Sequence, residues 1–587
     1  MAQKKPGAVF GAIIAIFIAF IIIVVTVSEC EDDYSTQNAD QQFGTMKPEE
    51  AKTRLKDMSR TINPITSYVQ SVETLAEIKT PNLADTLPDP SLITKHYPLT
   101  VNPRDVSSAD VVIEVFCSTE KSGENQPDNW FTTVARDFNN NNVRTAEGKR
   151  IRVRVRYIDS GTGYLYISSG KYIPDAFSPS NLLWIKMTQA SGVPVTMYTE
   201  SLVGNTAGIV MKDATYDLLK KNFGEVTLQA VIDAVAQGDI AMGYTDPYAS
   251  STGLNFLISI LSAYAKGNES KMLSDEVVSA FEVFQRGVPY VAFTTIQMRD
   301  SVTKGGLLDA FVMEHQTYLR AEVLQNGYKF IPFGIRHDNP LYGVGELSAE
   351  KRDALAQLAK YAESRRNLAN EFKFNQNAGY ESSYVIPSGE TLIAAQALWK
   401  QKKNVGKKIA AVFVSDVSGS MGGYSIQNLK IALREGAQFI DPKNAIGLVE
   451  YSTEVHLKLP IQPFNALQQS RYLAAVKSMT TGGDTAMFDG IIAAMDLLVE
   501  YTTENPDFRP VLFVLTDGQT NAGSFQALQD IGAIANTLDI PIYTIAYGED
   551  TNTSLLQQIS SINEAASMSA NDEAIVNKIG ALLNLEM

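Results

Sequence analysis

Apolar and polar positions divide this chain into an apolar opening, a polar and proline-bearing stretch, and two long blocks where short apolar runs alternate with amphipathic segments. The opening run, Ala8 to Val27, is of a length that makes a helix of about 30 Å, enough to cross a bilayer. Lys4 and Lys5 precede it, and Glu29, Glu31, Asp32 and Asp33 follow. Lysines before and none after put the N-terminus in the cytoplasm and the bulk of the chain outside. A cleaved signal peptide has a shorter apolar region and a small-residue cleavage site. Cys30 invites a lipid-attachment reading, but Glu29 stands where such signals carry a small residue. The pattern therefore predicts a retained single-pass anchor over residues 1–30.

Residues 31–108 read as a spacer. Positions 31–46 are polar, Glu49 to about Ser67 has helical spacing suited to a short stalk helix, and Pro81, Pro88, Pro90, Pro98 and Pro103 punctuate an extended tether. From 109 to about 374 the pattern changes. Asp110–Cys117 is a strand ending in Ser118, Thr119 and Glu120. A helix follows over Asn129–Phe138, and an alternating strand, Ile151–Tyr157, closes on Asp159-Ser160-Gly161. Strand-then-helix alternation of this kind predicts a doubly wound α/β domain. Cys117 reads as a small core residue, and Arg152, Arg154 and Arg156 as a solvated or edge strand face. Residues 375–404 read as an interdomain link and lead-in helix.

The third block, 405–587, contains the pattern richest in chemistry. Ile409–Ser415 is an apolar run that ends in Asp416-Val-Ser418-Gly-Ser420-Met-Gly-Gly423. It reads as a buried central strand with a tight loop at its carboxyl end, where open α/β sheets place their sites. Thr481-Gly-Gly-Asp-Thr485 is a second glycine-bearing loop before a helix. Val511–Thr516 then repeats the buried strand, followed by Asp517-Gly518. Asp416, Ser418, Ser420, Thr485 and Asp517 together offer two carboxylates and three hydroxyls, a set suited to a hard cation such as Mg²⁺ that keeps open positions. The alternative is that these residues cap helices and turn the chain.

The chain has 587 residues, enough for several domains, and a net charge of −15 that leaves no basic field for nucleic acid. Two cysteines make neither a disulfide framework nor a thiolate metal site. Four histidines have no recognisable partner motif, and no nucleophile–base pair or phosphate loop is evident, so the chain does not read as an enzyme.

With those residues in view, 405–587 resembles the von Willebrand factor type A domain. Asp416, Ser418, Ser420, Thr485 and Asp517 match its metal-ion-dependent adhesion site position by position. The resemblance implies a Mg²⁺ (or Mn²⁺ or Ca²⁺) bound directly by the serines, directly or through water by the threonine, and mostly through water by the aspartates. It also implies that a protein partner's carboxylate completes the coordination. The central block carries Pro174-Asp-Ala-Phe-Ser178-Pro-Ser180 and Ala241-Met-Gly-Tyr-Thr-Asp-Pro-Tyr-Ala-Ser250-Ser251-Thr252-Gly-Leu254. These resemble two-lobed bacterial extracellular solute-binding proteins, particularly the branch that binds oxyanions. That resemblance implies a small-molecule cleft lined by Ser118, Thr119, Ser160, Ser178, Ser250, Ser251 and Thr252, although each of these suits a helix cap equally well. Glu120, Glu124 and Asp128 bring negative charge to that cleft and oppose a small oxyanion.

The expected architecture is thus α/β throughout: an N-terminal transmembrane helix, a two-lobed periplasmic-binding-protein-like domain, and a C-terminal Rossmann-like doubly wound von Willebrand factor A domain. The expected function is a membrane-anchored binding protein of the bacterial envelope that grips an acidic group of a protein partner through its metal site. The alternative is the solute receptor of an ABC-type importer, binding a small polar or anionic ligand between its lobes. A cytoplasmic chelatase or AAA-type ATPase subunit suits the C-terminal block but conflicts with the anchor.

Overall fold

The computed structural model describes residues 46–73, 87, 90–124, 128–288, 290–292, 295, 298–299, 302, 308–403, 407–437, 440–516, 520–526, 528–547, 553–560 and 567–570. The expected anchor, Cys30, much of the proline tether and Asp517 lie outside the described residues. Among the described residues no helix is long and apolar enough to cross a membrane.

The stretch read as a stalk is no free-standing spacer. Helix α1 (Pro48–Ile62) opens with proline in its first turn and closes on Asn63 at φ 52, whose N–H bonds back to Ser59 O. Ala51, Leu55 and Met58 line one face and are buried in the same core as Ile491, Met495 and Leu498. Strand β1 (Ile65–Thr66) then pairs in parallel with His456 and Leu457. α1 carries charges of both signs, and three buried apolar side chains on one stripe suffice to dock it.

The central domain has two lobes. In the first, β2 (Leu99–Val101), β3 (Val111–Cys117), β4 (Ile151–Tyr157), β5 (Ala176–Ser178) and β6 (Val195–Thr199) join a later strand. The second holds β7 (Asn205–Lys212), β8 (Met242–Thr245), β9 (Tyr290–Ala292), β10 (Ala310–Glu314) and β11 (Tyr328–His337), in the order β11-β7-β10-β8-β9. β12 (Leu341–Val344) returns to the first lobe, whose order is β2-β4-β3-β5-β12-β6. The chain thus crosses between lobes at 199–205 and 337–341. Helices α2 (Trp130–Asn140), α3 (Ser160–Ser168) and α4 (Leu182–Ala190) follow strands of the first lobe, and α5 (Ser251–Tyr264) and α6 (Asp275–Arg286) belong to the second. α7 (Ala349–Ser364) packs on β3 and α2.

Of the arginine stripe, Arg152 and Arg156 are buried and Arg154 is half-buried. β4 lies between β2 and β3, so both its neighbours are strands. Arg152 bonds Asp105 at 2.6 Å and Asn139 O at 2.7 Å, and Arg156 bonds Glu114 at 2.6 Å and Tyr97 O at 2.7 Å. Both guanidiniums are buried with their charges matched. Cys117 is buried, and burial pushes its thiol up to about 11.

The lead-in segment also packs into the central domain. Residues 375–388 run along the second lobe, with Ser383 N donating to Gly334 O at 2.9 Å and Tyr384 OH to Asn255 at 2.8 Å. Helix α8 (Gly389–Lys402) then touches α4 of one lobe and α5 and α6 of the other. Its Leu392, Ala395 and Trp399 share a core with Trp184, Phe256 and Phe281. Trp399 Nε1 donates to Tyr244 OH at 2.6 Å and Gln396 to Pro247 O at 2.7 Å. Gly389 is required there, since a Cβ would sit 2.2 Å from Lys186 O.

In the C-terminal domain, β13 (Lys408–Asp416) is buried at every position after Lys408. Helix α9 (Tyr424–Gly436), β14 (Ala445–Tyr451), β15 (Val455–Pro463), α10 (Ala466–Ser478), α11 (Met487–Glu504), β16 (Phe508–Thr516), α12 (Leu528–Thr537), β17 (Ile542–Tyr547) and β18 (Ser567–Ala570) follow. The sheet order is β1-β15-β14-β13-β16-β17-β18; β14, β13, β16, β17 and β18 run parallel, and β15, antiparallel to β14, carries β1 parallel to itself at the edge. Pro460 and Pro463 interrupt β15, which a strand near a sheet edge tolerates. α9 and α10 cover one face of the sheet, and α11, α12 and α1 the other.

Candidate functional site

At the carboxyl end of β13 the Asp416 side chain is fully buried. Its Oδ1 accepts from Ser418 N at 2.8 Å, and its Oδ2 from Thr516 Oγ1 at 2.7 Å and Tyr451 OH at 3.2 Å. The two neighbouring strands, β14 and β16, thus each supply a donor that orients this carboxylate. Ser418 Oγ and Ser420 Oγ lie 3.0 Å apart, the first buried and the second exposed.

The second loop interlocks with the first. Gly419 N donates to Gly483 O at 3.0 Å, and Gly482 N to Val417 O at 2.9 Å. Gly483 has φ 79, a left-handed backbone that glycine adopts without cost. The third loop closes on the second. Thr485 N donates to Asn521 Oδ1 at 2.8 Å, and Thr485 O accepts from Thr520 Oγ1 at 3.1 Å and Asn521 N at 3.1 Å. Asp489, in the first turn of α11, accepts from Ser524 N at 2.7 Å and Phe525 N at 3.0 Å, which holds the third loop down. Asp416, Ser418, Ser420 and Thr485 therefore stand on loops tied directly to one another. Asp517 follows Thr516 in the chain but lies outside the described residues.

This donor set fits a hard cation. All its side-chain donors are oxygens, Asp416 accepts from Ser418 N, Thr516 and Tyr451, and Ser420 is exposed to solvent. Among the described residues no three His, Cys, Asp or Glu side chains cluster as metal ligands. The sequences 416–423, 481–485 and 516–525 contain no Cys or His, so these loops offer neither thiolate nor imidazole. Thr516, Tyr451, Asp489 and Asn521 are supporting residues that sequence reasoning missed. Thr516 directly precedes Asp517 and could have been found as a hydroxyl on a buried strand end; the other three carry no local signal.

The cleft residues are also brought together, but face inward. Ser118, Ser160, Ser178, Ser250, Ser251 and Thr252 are all buried, and Thr119 is half-buried. Ser250 is the cap of α5, accepting from Gly253 N at 3.3 Å. Ser251 Oγ accepts from Trp184 Nε1 at 2.8 Å, and Thr252 Oγ1 reaches Glu314 at 3.5 Å. Ser160 Oγ accepts from Ser180 N at 3.3 Å. Ser118 Oγ donates to Glu120 and accepts from Lys121 Nζ. Ser178 Oγ is buried with no partner.

His337, one of the histidines without a sequence motif, does have partners. Its Nδ1 is 2.9 Å from Glu314 Oε1, and its Nε2 is 3.1 Å from both Asn181 Nδ2 and Asn255 Nδ2. All four residues are buried, and Asn181 and Glu314 come from different lobes. Burial first, and then the charge of Glu120, raise the Glu314 carboxyl above its ordinary range. Burial likewise raises Asp159, and raises Asp128 against the pull of Arg299. For Glu314, Asp159 and Asp128 ionisation is thus costly.

Residues 411–580 match the von Willebrand factor type A domain family. Inter-alpha-trypsin inhibitor heavy chain H3 of Homo sapiens is 28% identical over 166 residues, which is 27% of this chain and 18% of that protein. Heavy chain H1 of Mesocricetus auratus is 25% identical over 170 residues, covering 28% of this chain and 18% of that one. The chain therefore spans under a fifth of the length of these relatives. Among solved structures, a von Willebrand factor type A protein from Catenulispora acidiphila gives a TM-score of 0.28 at 16% identity, covering 30% of this chain and 42% of that one. A periplasmic thiamin binding protein gives 0.36 at 11% identity, covering 52% of this chain and 99% of that one. The sulfate-binding protein SubI from Mycobacterium tuberculosis H37Rv gives 0.33 at 15%, covering 46% and 88%. With scores this low, the two-lobed architecture rests on the strand orders and crossings themselves.

Proposed function

Since residues 411–580 form a von Willebrand factor type A domain, we propose that this chain is a non-enzymatic binding protein whose three loops hold a divalent cation of the Mg²⁺ type. Asp416, Ser418, Ser420, Thr485 and Asp517 are its ligands, direct or through water. Through an open coordination position the ion attracts a carboxylate of a protein partner. The observation that carries this reading is the tethering of Asp416 to both neighbouring strands while Ser420 stands at the surface 3.0 Å from Ser418. A carboxylate that only capped a turn would not need donors from two other strands. The charge pattern around residues 8–27 supports an anchor that displays this domain on the outer face of a cell membrane.

The solute-receptor reading has less support, because Ser118, Ser160, Ser250, Ser251 and Thr252 are buried and bonded within the chain, which leaves Ser178 and Thr119 of that set to meet a solute. The deciding experiment titrates Mn²⁺ into the purified full chain, followed by electron paramagnetic resonance. One bound ion is expected, lost in Asp416→Ala and Ser420→Ala. Capture of an acidic protein ligand should then require divalent cation and fail in EDTA. Equal Mn²⁺ uptake by Asp416→Ala would sink the proposal.

A further inference from the structure

The first-lobe loop after β3 already holds an anion. Ser118 Oγ and Ser180 Oγ both donate to one carboxylate oxygen, Glu120 Oε1, the second at 2.9 Å. Lys121 Nζ, fully buried, reaches Glu120 Oε1 at 3.5 Å, Ser178 O at 3.0 Å and Ser118 Oγ. Two hydroxyls and an ammonium around a carboxylate make a complete small-anion cradle, with charge-assisted bonds. Burial by itself would raise the Glu120 carboxyl, but the Lys121 charge and the hydroxyl donors outweigh it and hold it below its ordinary value. The carboxylate is therefore ionised in place, as an anionic ligand would be.

The lobes are pressed together over this cradle. Gly161 N donates to Ala249 O at 3.1 Å, and a Cβ on Gly161 would lie 1.7 Å from Tyr248 O. Asn181 Nδ2 donates to Ser251 O at 3.2 Å, again from one lobe to the other. A second anion entering here would also meet Glu314, whose carboxyl already feels Glu120.

We propose that the ligand of this cradle is the chain's own Glu120 carboxylate, so that the central domain is an internally liganded, closed module which excludes free oxyanions and carboxylates. It goes beyond the metal-site reading, and neither depends on the other.

The test uses the full chain and hydrogen exchange read by mass spectrometry in peptides covering 111–124 and 176–184. Wild-type exchange should be unchanged by sulfate, phosphate or acetate at millimolar concentration. Glu120→Ala removes the carboxylate that Lys121 bonds, leaves it the more remote Glu314 for a counter-charge, and should speed exchange in these peptides by at least about 100-fold. Acetate, which restores the missing group, should return protection to Glu120→Ala alone. Glu120→Gln fills the same volume without the charge, so it should lose protection and gain no response to acetate. Protection of the wild type by any of the three anions would overturn the proposal. So would Glu120→Ala that acetate does not rescue, or, should that variant fail to fold, Glu120→Gln with wild-type protection.

Discussion

Replacing Thr516 with valine tests how the metal loops are held. The two side chains have nearly the same shape, so the substitution removes one O–H donor and leaves the packing of β16 in place. The lost bond reaches Asp416 Oδ2 at 2.7 Å, shorter than the 3.2 Å bond from Tyr451. Asp416 and Thr516 are both fully buried, so water does not replace the donor. A hydrogen bond to a charged group contributes about 1.5–3 kcal/mol, so Thr516→Val should destabilise the C-terminal domain by about that amount. Thr544→Val serves as a control on the adjacent strand. Its Oγ1 donates to a neutral carbonyl, Leu556 O at 3.1 Å, where about 0.5–1.5 kcal/mol is expected. The assay is urea unfolding in EDTA by far-ultraviolet circular dichroism. Tryptophan fluorescence gives an internal reference, because Trp130, Trp184 and Trp399, the chain's three tryptophans, all lie in the central domain. That signal should not move. With the carboxylate less firmly oriented, Mn²⁺ affinity should fall about 10- to 100-fold. A variant with wild-type stability and wild-type Mn²⁺ affinity would refute the claim that β16 orients Asp416.

Two further outcomes follow from the packing. Leu55→Ala should cost the C-terminal domain about 2–5 kcal/mol in the same unfolding assay, because Leu55 is fully buried against α11; a change below about 0.5 kcal/mol, typical of a surface site, would return α1 to a solvated stalk. Glu450 is buried on β14 with Oε1 unpartnered and Lys458 3.8 Å from Oε2, and burial, only partly offset by Lys458 and Lys430, raises its carboxyl to about 7. Between the unfolded value near 4.5 and about 7 the folded state binds the extra proton, so this group makes stability fall as pH rises through that window and level off above it. Glu450→Gln should remove the slope and stabilise the domain at pH 8, by at most about 3 kcal/mol; an unchanged slope between pH 5 and 8 would show that Glu450 does not titrate there.

What the sequence by itself determined is local. The apolar run Ile409–Ser415 and its Asp-x-Ser-x-Ser loop are contiguous, as are Thr481–Thr485 and Val511–Thr516, so the strand ends and their hydroxyls could be read directly. The same holds for β3, β4 and the Ser250–Gly253 cap of α5. Tertiary structure decided what lies across the chain. Tyr451 and Thr516 reach Asp416 from 35 and 100 residues away, and Asn181 reaches His337 from 156. No periodicity announces such pairs, because a hydrogen bond depends on where a sheet sets two atoms and not on their spacing in sequence. The same reason explains α1 and α8. Each has a modest apolar stripe that reads as a spacer until a core exists to receive it, and burial of that stripe is what makes α1 part of the C-terminal domain and α8 part of the central one.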